Sequence, residues 1–253
     1  MPIPTRLTAM NSVARNLASW DQRYQWPQDG DEWNGQAAAC GVPYDEWKRA
    51  LAASLIEPYA APGATILEIG PGHGRWTEYL VQRAGRMILV DLSPQCLEYC
   101  GKRFRELNKV ECRLTDGSNL PADLSNSIDL VWSFDCFVHI RAADMRRYFR
   151  EIARVLVPGG KAVIHHANRR DATLWLGVLR AFGKTGKRAY RAISMGSAER
   201  EDGWRANVSA KLVARLARST GLLVLDQVNR WGEQGAYGVP RFNDRVTILE
   251  KKS

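Results

Sequence analysis

The stretch Thr65–Leu80, TILEIGPGHGRWTEYL, joins two hydrophobic patterns through a glycine-rich turn. Residues 65–70 form a short apolar run typical of a buried strand, and residues 73–84 carry apolar side chains at helical spacing. Three glycines interrupt the change of pattern: Gly70, Gly72 and Gly74. Because glycine permits positive φ and a close approach to the backbone, the pattern predicts a ligand that lies directly on this turn.

The chemistry of that ligand follows from spacing. E-x-G-x-G-x-G differs from the G-x-G-x-x-G of pyrophosphate binding, and no Lys-Ser or Lys-Thr follows as in a phosphate loop, so we expect a nucleoside without a diphosphate. Asp91, about twenty residues after the turn, ends the strand in MILVDLSP, where a carboxylate can accept both ribose hydroxyls. A helix cap is the alternative, because Ser93-Pro94 follows. Asp116-Gly117, in CRLTDGSNLP, suits an adenine edge or an ordinary turn.

Strand and helix patterns alternate along the rest of the chain. The predicted strands cover 65–70, 86–91, 110–114, 128–134, 161–167, 221–228 and 244–250, and the predicted helices 73–84, 94–108, 143–157 and 208–220. Such alternation predicts an α/β fold with a doubly wound, seven-stranded, mostly parallel sheet. The last two strands follow one another without a helix, which predicts an antiparallel edge strand.

Composition divides the 253 residues into three parts. Residues 1–59 form an N-terminal arm rich in tryptophan and tyrosine, followed by a helix, and residues 60–253 form the main domain. Within that domain, residues 168–207 predict a helical lid insertion with nine Arg or Lys against four Asp or Glu. The insertion thus holds a large share of the formal charge of +9. This charge fits an anionic partner or only a solvated basic surface.

Five segments together resemble the class I S-adenosylmethionine-dependent methyltransferases. They are LEIGPGHG, VDLSP, TDGSNLP, IDLVWSFDCFVHI and FREIARVLVPGGKAVI, and the resemblance covers about residues 60–167. It implies S-adenosylmethionine as cofactor. Its implied contacts are Glu68 orienting the turn; Gly70, Pro71, Gly72 and Gly74 against the methionine part; Asp91 on the ribose; Asp116 and Gly117 at the adenine; and Phe134 packing nearby.

Catalytic candidates follow the fourth and fifth strands, where acceptors approach in that family. Methyl transfer to a hydroxyl needs alignment and a base. His139, in SFDCFVHI, is the predicted base, because an imidazole of near-neutral pKa can accept a hydroxyl proton. Asp135 is its predicted partner, and His166 or His165, in VIHHAN, is predicted to bind the acceptor. The same groups could instead hold Mg²⁺, so no metal ligand is assigned.

The acceptor is less defined by sequence. The aromatic arm and the DxFVH segment are similar to bacterial methyltransferases that O-methylate sugars, which implies a small acceptor bearing a sugar or a phosphate. RNA methylation through the basic insertion and small-molecule N-methylation remain alternatives. No apolar run of membrane-spanning length and no secretory leader pattern occur, so we expect a cytoplasmic protein without a membrane span. The sequence leaves a homodimer open.

Overall fold

The computed structural model describes residues 12–27, 34–168, 183, 185 and 205–252. Its strands, in chain order, are β1 (Ala64–Ile69), β2 (Ala84–Asp91), β3 (Val110–Leu114), β4 (Ile128–Ser133), β5 (Leu156–His166), β6 (Leu222–Val228), β7 (Arg230–Trp231), β8 (Tyr237–Gly238) and β9 (Arg245–Lys251). Seven of them form one sheet in the order β3-β2-β1-β4-β5-β9-β6, and β7 pairs only with β8.

The helices surround this sheet. They are α1 (Ser12–Asn16), continued by a π-helical turn at Leu17–Asp21; α2 (Gly35–Cys40); α3 (Tyr44–Leu51), continued by a π-helical turn at Ala52–Ile56; α4 (Thr77–Arg83); α5 (Pro94–Arg103); α6 (Ala142–Val155); and α7 (Ala210–Arg218). The helix predicted over 73–84 begins only at Thr77. The reason is the turn before it, where Gly74 has a φ of +88° that no α-helix accommodates.

The predicted α/β fold with a mostly parallel sheet is confirmed. β1 pairs in parallel with β2 and β4, and the parallel pairing continues to β3 and β5. β9 runs antiparallel to both β5 and β6 and lies second from the edge, with β6 outside it. The carboxyl ends of the parallel strands therefore meet along one side of the sheet, which is where open α/β sheets bind ligands.

Hydrophobic packing covers both faces of the sheet. One face packs against α6 and α7 through Phe149 and Val213, and the other against α3 and α4 through Trp47 and Leu80. All four side chains are almost wholly buried. Burial of a large apolar side chain contributes about 1.5–3 kcal/mol, so these contacts hold the loops at the carboxyl ends of the strands on a rigid base.

Candidate functional site

The glycine turn after β1 has a backbone that side chains would disrupt. Gly70, Gly72 and Gly74 have φ values of +71°, +56° and +88°. A Cβ added at Gly70 would lie 2.7 Å from the sulfur of Cys136, and one added at Gly72 would lie 2.7 Å from the ring of Trp26. The Cβ directions at these two positions are therefore occupied by protein side chains, and both residues line the cavity described below without a side chain of their own.

Glu68 stabilises the turn from behind. The hydroxyl of Thr77, at the start of α4, donates a 2.6 Å hydrogen bond to Glu68 Oε2, and both side chains are buried. Burial raises the pKa of Glu68 to about 8, although the bond from Thr77 opposes the shift. At neutral pH the carboxyl is thus mostly protonated. The orienting role of Glu68 stays a prediction.

Asp91 lies at the carboxyl end of β2. Its Oδ1 accepts a 2.9 Å hydrogen bond from the backbone N–H of Ser93. Burial raises the pKa of Asp91 to about 6, and backbone N–H groups, including that of Gly72, oppose the shift. The cap of α5 is Ser93, whose hydroxyl accepts from the N–H of Cys96 at 3.2 Å. Ser93, and not Asp91, is therefore the cap of this helix.

Asp116 is engaged within its own turn. Its carboxylate accepts hydrogen bonds of 2.7–2.9 Å from the backbone and side chains of Ser118 and Asn119. A Cβ added at Gly117 would lie 3.2 Å from Val13 of α1. Neither Asp116 nor Gly117 lines the cavity described next. The contact predicted between this pair and an adenine ring gains no support, and an ordinary turn describes the segment better.

A cavity of about 1090 Å³, which includes its mouth open to solvent, lies where β1, β2 and β4 end. We call one side the glycine wall, and it consists of Gly70, Pro71, Gly72, Asp91 and Leu92. We call a second group of lining residues the charged wall, and it consists of Arg75, Asp135, His139, Arg205 and Arg241.

The N-terminal arm covers this cavity. Asn16, Trp20 and Trp26 line it, and Asn16 Nδ2 donates a 3.1 Å hydrogen bond to the carbonyl of His139. The Trp26 ring is stacked on His73 with ring centres 5.1 Å apart. The arm thus touches both the glycine turn and the segment after β4. Trp33, also part of the predicted arm, lies outside the described residues.

Five charged side chains, some lining the cavity and some buried behind the charged wall, form a chain of ionic contacts. Arg75 pairs with Asp135, and Oδ1 of Asp135 lies 3.1 Å from His165 Nδ1. His165 Nε2 lies 3.3 Å from Oδ2 of Asp244, which in turn pairs with Arg205. His165 and Asp244 are completely buried behind the wall. The chain thus ties together the glycine turn, the ends of β4 and β5, and the start of β9.

The charges of this chain are fixed by one another. Burial alone would raise the pKa of Asp135, but the guanidinium of Arg75 and the hydrogen bond with His165 hold that pKa well below its ordinary value. Burial would lower the pKa of His165, but its hydrogen bonds with Asp135 and Asp244 outweigh burial and raise it. The pKa of Asp244 is also lowered. Both carboxylates are therefore ionised at neutral pH.

The structure corrects the predicted partner of Asp135. Its carboxylate bonds to Arg75 and His165 instead of His139. Asp135 also has a positive φ of +62°, a strained conformation that such a network can hold in place. His139 itself is buried and lines the cavity, with its ring centre 4.9 Å from that of Trp20.

His166 does not reach the cavity. Successive residues of a strand point to opposite faces, so His165 and His166 diverge. His166 is completely buried, with Nε2 2.6 Å from the hydroxyl of Thr247 and Nδ1 2.8 Å from the carbonyl of Ala167. Burial lowers the pKa of His166 to about 4. The predicted contact between His166 and an acceptor is therefore contradicted by its position, and we assign it a structural role.

Phe134 lies in the cavity and stacks on His165, with ring centres 4.2 Å apart. The sequence analysis did not single out Arg75, Arg205 and Arg241, which line the cavity, or Asp244, which lies behind the charged wall. Only Arg75 had a local signal, since it directly follows the glycine turn. The other arginines of the predicted basic insertion, such as Arg169 and Arg188, lie outside the described residues.

The alternative with a metal ion does not fit the side chains that it would need. Among residues 12–27, 34–168 and 205–252, no group of three or more His, Cys, Asp or Glu side chains could hold a metal ion. Asp135 is paired with a guanidinium, and His166 points away from it. In the same ranges, no helix has the length and apolar character needed to cross a bilayer.

Residues 66–160 match the sequence model of a family described as a methyltransferase domain. This part of the chain is thus similar to a methyltransferase domain. The matched residues run from β1 into β5 and include the glycine turn, Asp91, Asp135 and His139. They therefore contain the whole glycine wall and part of the charged wall.

Two curated relatives are similar to this methyltransferase domain. The ubiquinone biosynthesis O-methyltransferase of Xanthomonas oryzae is 28% identical over 120 residues, which are 47% of this chain and 49% of the relative. The glycine/sarcosine/dimethylglycine N-methyltransferase of Actinopolyspora halophila is 34% identical over 111 residues, 41% of this chain and 18% of the relative. The chain thus spans half the length, or less, of these relatives.

The YcgJ protein of Bacillus subtilis has a similar solved structure. The TM-score is 0.60 at 15% identity, and the match covers 81% of this chain and 99% of that protein. At this identity the likeness concerns the fold alone, and it extends well beyond residues 66–160.

The glycine wall fits the cofactor that this domain implies. The turn offers backbone at positive φ to the cavity, and a carboxylate lies beside it at Asp91, as a ribose with two hydroxyls requires. Gly70, Pro71, Gly72 and Asp91 would hold S-adenosylmethionine there. When bound, S-adenosylmethionine supplies a methyl group made electrophilic by its sulfonium.

Proposed function

We propose that this protein is an S-adenosylmethionine-dependent methyltransferase that methylates a hydroxyl of a small molecule, with His139 as general base. One observation carries the proposal: a single cavity is lined both by the glycine turn and Asp91 and by His139 and Asp135. A cofactor and an acceptor could therefore lie side by side, as a direct transfer requires.

In this proposal, His139 accepts the hydroxyl proton while the acceptor oxygen is aligned for attack. Its ring is held against Trp20, and its segment is fixed by the hydrogen bond from Asn16 to the His139 carbonyl. Asp135 remains ionised, so it serves as a hydrogen-bond acceptor that orients a donor group of the substrate. The arm excludes water from above, because two of its tryptophans line the cavity.

We further propose a sugar or glycosylated metabolite as the acceptor. Indole rings at Trp20 and Trp26 offer flat apolar faces to C–H groups, and the amides of Asn16 and Gln36 line the same cavity and can pair with hydroxyls. This combination of stacking faces and amides suits a polyhydroxylated ring.

An N-methyltransferase acting on a small amine is the second candidate. It is favoured by the ionised Asp135 in the cavity, which could receive an ammonium or amine N–H, and by the relative that carries N-methyltransferase in its name. Such an acceptor loses its proton more readily than a sugar hydroxyl, so turnover would depend less on His139.

The test combines binding and turnover. Calorimetry should detect binding of S-adenosylhomocysteine, and a panel of sugars and amines, assayed with and without EDTA and added Mg²⁺, should show methyl transfer to hydroxyl acceptors. We expect His139→Gln to lower kcat by about 100-fold or more with unchanged affinity for S-adenosylhomocysteine. His73→Gln, which alters another imidazole lining the cavity, is the matched control.

Three results would contradict parts of this proposal. Absence of S-adenosylhomocysteine binding would refute the cofactor assignment. Full turnover by His139→Gln would show that His139 is not the general base. Preferential methylation of amines would favour the N-methyltransferase.

A further inference from the structure

The described part of the N-terminal arm, residues 12–27, is joined to the loop after β2 by a polar contact. The π-helical turn of the arm ends at Asp21, whose Oδ1 accepts a 2.7 Å hydrogen bond from the hydroxyl of Ser93. The backbone N–H of Ser93 in turn donates to Asp91 at 2.9 Å. Because Ser93 is buried, it connects the arm to the carboxylate of the glycine wall away from solvent.

The arm is joined to the glycine turn by an aromatic side chain. Two carbons of the Trp26 ring, Cη2 and Cζ3, would each lie 2.7 Å from a Cβ added at Gly72, so the indole rests directly on the backbone of the turn. The indole N–H of Trp26 donates a 2.8 Å hydrogen bond to the carbonyl of Trp20, which fixes the ring within the arm. Trp26 also lines the cavity, so it lies where the arm, the turn and the cofactor space meet.

Little of this segment is buried. Within residues 13–26 only Asn16 is buried, whereas α3 places Trp47 and Leu51 in the hydrophobic core. A segment with few buried apolar contacts opens at a lower cost in free energy than the core does. Single contacts such as that between Asp21 and Ser93 should therefore have a large influence on how often the arm opens.

We propose that Asp21 and Trp26 are positioning residues for the cofactor, which fasten the arm across the two loops of the glycine wall and thereby retain the cofactor in the cavity. This inference rests on the cofactor assignment of the proposed function. Asp21 acts through Ser93 and Asp91, and Trp26 acts through the turn at Gly72. A cofactor bound against these loops leaves when the arm detaches from them, so the two contacts govern its rate of release.

The experiment measures association and dissociation of S-adenosylhomocysteine by surface plasmon resonance on the immobilised full chain. This method does not depend on tryptophan fluorescence, which Trp26→Ala would alter. We expect Asp21→Ala and Trp26→Ala each to raise the dissociation rate constant about tenfold, as loss of one fastening contact would produce. The association rate constant should not fall, because the glycine wall itself stays intact.

Three further variants separate fastening from a general loss of structure. Asp21→Asn keeps an oxygen that can accept from Ser93, so its dissociation rate should stay within about threefold of the wild type. In a Ser93→Ala background, Asp21→Ala should have no further effect, because its partner is gone. Gln22→Ala removes the exposed neighbour of Asp21 and is the matched control, which should change neither rate. Circular dichroism establishes that each variant is folded.

The outcomes separate this inference from the proposed function. A dissociation rate equal to that of the wild type in Asp21→Ala or Trp26→Ala would overturn the role of that residue. An equal rise in Gln22→Ala, or a loss of affinity that comes wholly from slower association, would overturn the fastening role of the arm while S-adenosylhomocysteine still binds. Failure of S-adenosylhomocysteine to bind the wild-type protein would instead refute the proposed function itself.

Discussion

The two walls of the cavity are built in different ways. The glycine wall comes from three consecutive residues, Gly70, Pro71 and Gly72, and from Asp91 and Leu92 at the end of the neighbouring strand. The charged wall comes from side chains as far apart as Arg75 and Arg241. Local sequence therefore specifies the first wall, whereas the second exists only after distant segments have packed together.

Buried acids behave differently behind the two walls. Glu68, behind the glycine turn, accepts a hydrogen bond from the neutral hydroxyl of Thr77. Arg75 and Arg103 attract its carboxylate, but burial outweighs them and raises the pKa of Glu68 to about 8. Asp244, behind the charged wall, is equally buried but contacts Arg205 and His165, and its pKa is lowered. Burial thus gives a neutral acid in one place and an ion in the other, because Asp244 forms direct ion pairs whereas Glu68 is bonded to a neutral group.

The largest expected effect is that of Asp244→Asn. The substitution keeps the shape but leaves Arg205 and His165 buried without their carboxylate, which should lower the free energy of unfolding by about 3–5 kcal/mol. Urea denaturation followed by circular dichroism measures it. Asp226→Asn, on the exposed part of β6, is the control and should change stability by less than about 0.5 kcal/mol. Equal effects of the two substitutions would show that the ionic chain does not stabilise the charged wall.

Asp91→Ala should give the next largest effect. Loss of the proposed bonds to two ribose hydroxyls should weaken binding of S-adenosylhomocysteine by about 100-fold, measured by calorimetry. Asp116→Ala removes the acid that follows β3 and does not line the cavity, so it should leave the affinity within about threefold. A larger loss of affinity in Asp116→Ala than in Asp91→Ala would show that Asp116, and not Asp91, contacts the cofactor.

The affinity for S-adenosylhomocysteine should also depend on pH. Asp91 has a pKa of about 6 in the folded protein, so it is ionised above that pH and becomes protonated below it. If the ionised form binds the ribose, affinity should be constant above pH 7 and fall by up to about tenfold on lowering the pH to 5. Asp91→Asn cannot titrate and should lose this component. A wild-type affinity that stays constant from pH 5 to pH 8 would speak against the ribose contact.

The smallest effect is expected for Glu68→Gln at pH 4, where the carboxyl is mostly protonated in both the folded and the unfolded chain. An amide resembles the protonated carboxyl and can still accept from Thr77, so at that pH the free energy of unfolding should change by less than about 1 kcal/mol. The raised pKa gives the sign of the pH effect. The folded state keeps its proton up to about pH 8 while the unfolded chain loses it near its ordinary pKa, so wild-type stability declines as pH rises between these values.

Glu68→Gln removes that decline, so it should gain stability relative to wild type from pH 5 to pH 9. Parallel urea titrations across this range measure the difference. A variant that loses stability relative to wild type at high pH would mean that Glu68 is an ion that the turn requires.

Much of the fold was predictable because strand and helix patterns are local. The strand β3 has the predicted bounds, and β1, β2 and β4 differ from the prediction by one or two residues at their ends. The start of α4 was predicted too early, because helical spacing does not reveal that Gly74 adopts positive φ. Helix and strand ends depend on backbone conformation at single residues, which a periodic pattern averages out.

The candidate catalytic residues were only partly predictable. His139 was singled out because it follows β4, and the structure places it in the cavity. His165 and His166 could not be told apart by position in sequence, although one supports the charged wall and the other packs beside Thr247. The partner of Asp135 was predicted wrongly, because Arg75 and His165 reach it from other elements.

By itself, the sequence determined the α/β fold, the glycine turn and the acid at the end of β2, because each depends on residues within one strand and the loop after it. Only the tertiary structure decided which acids are ionised, which histidines face the cavity and which arginines line it. These properties depend on burial and on the distance to charges elsewhere in the chain, and packing alone sets both.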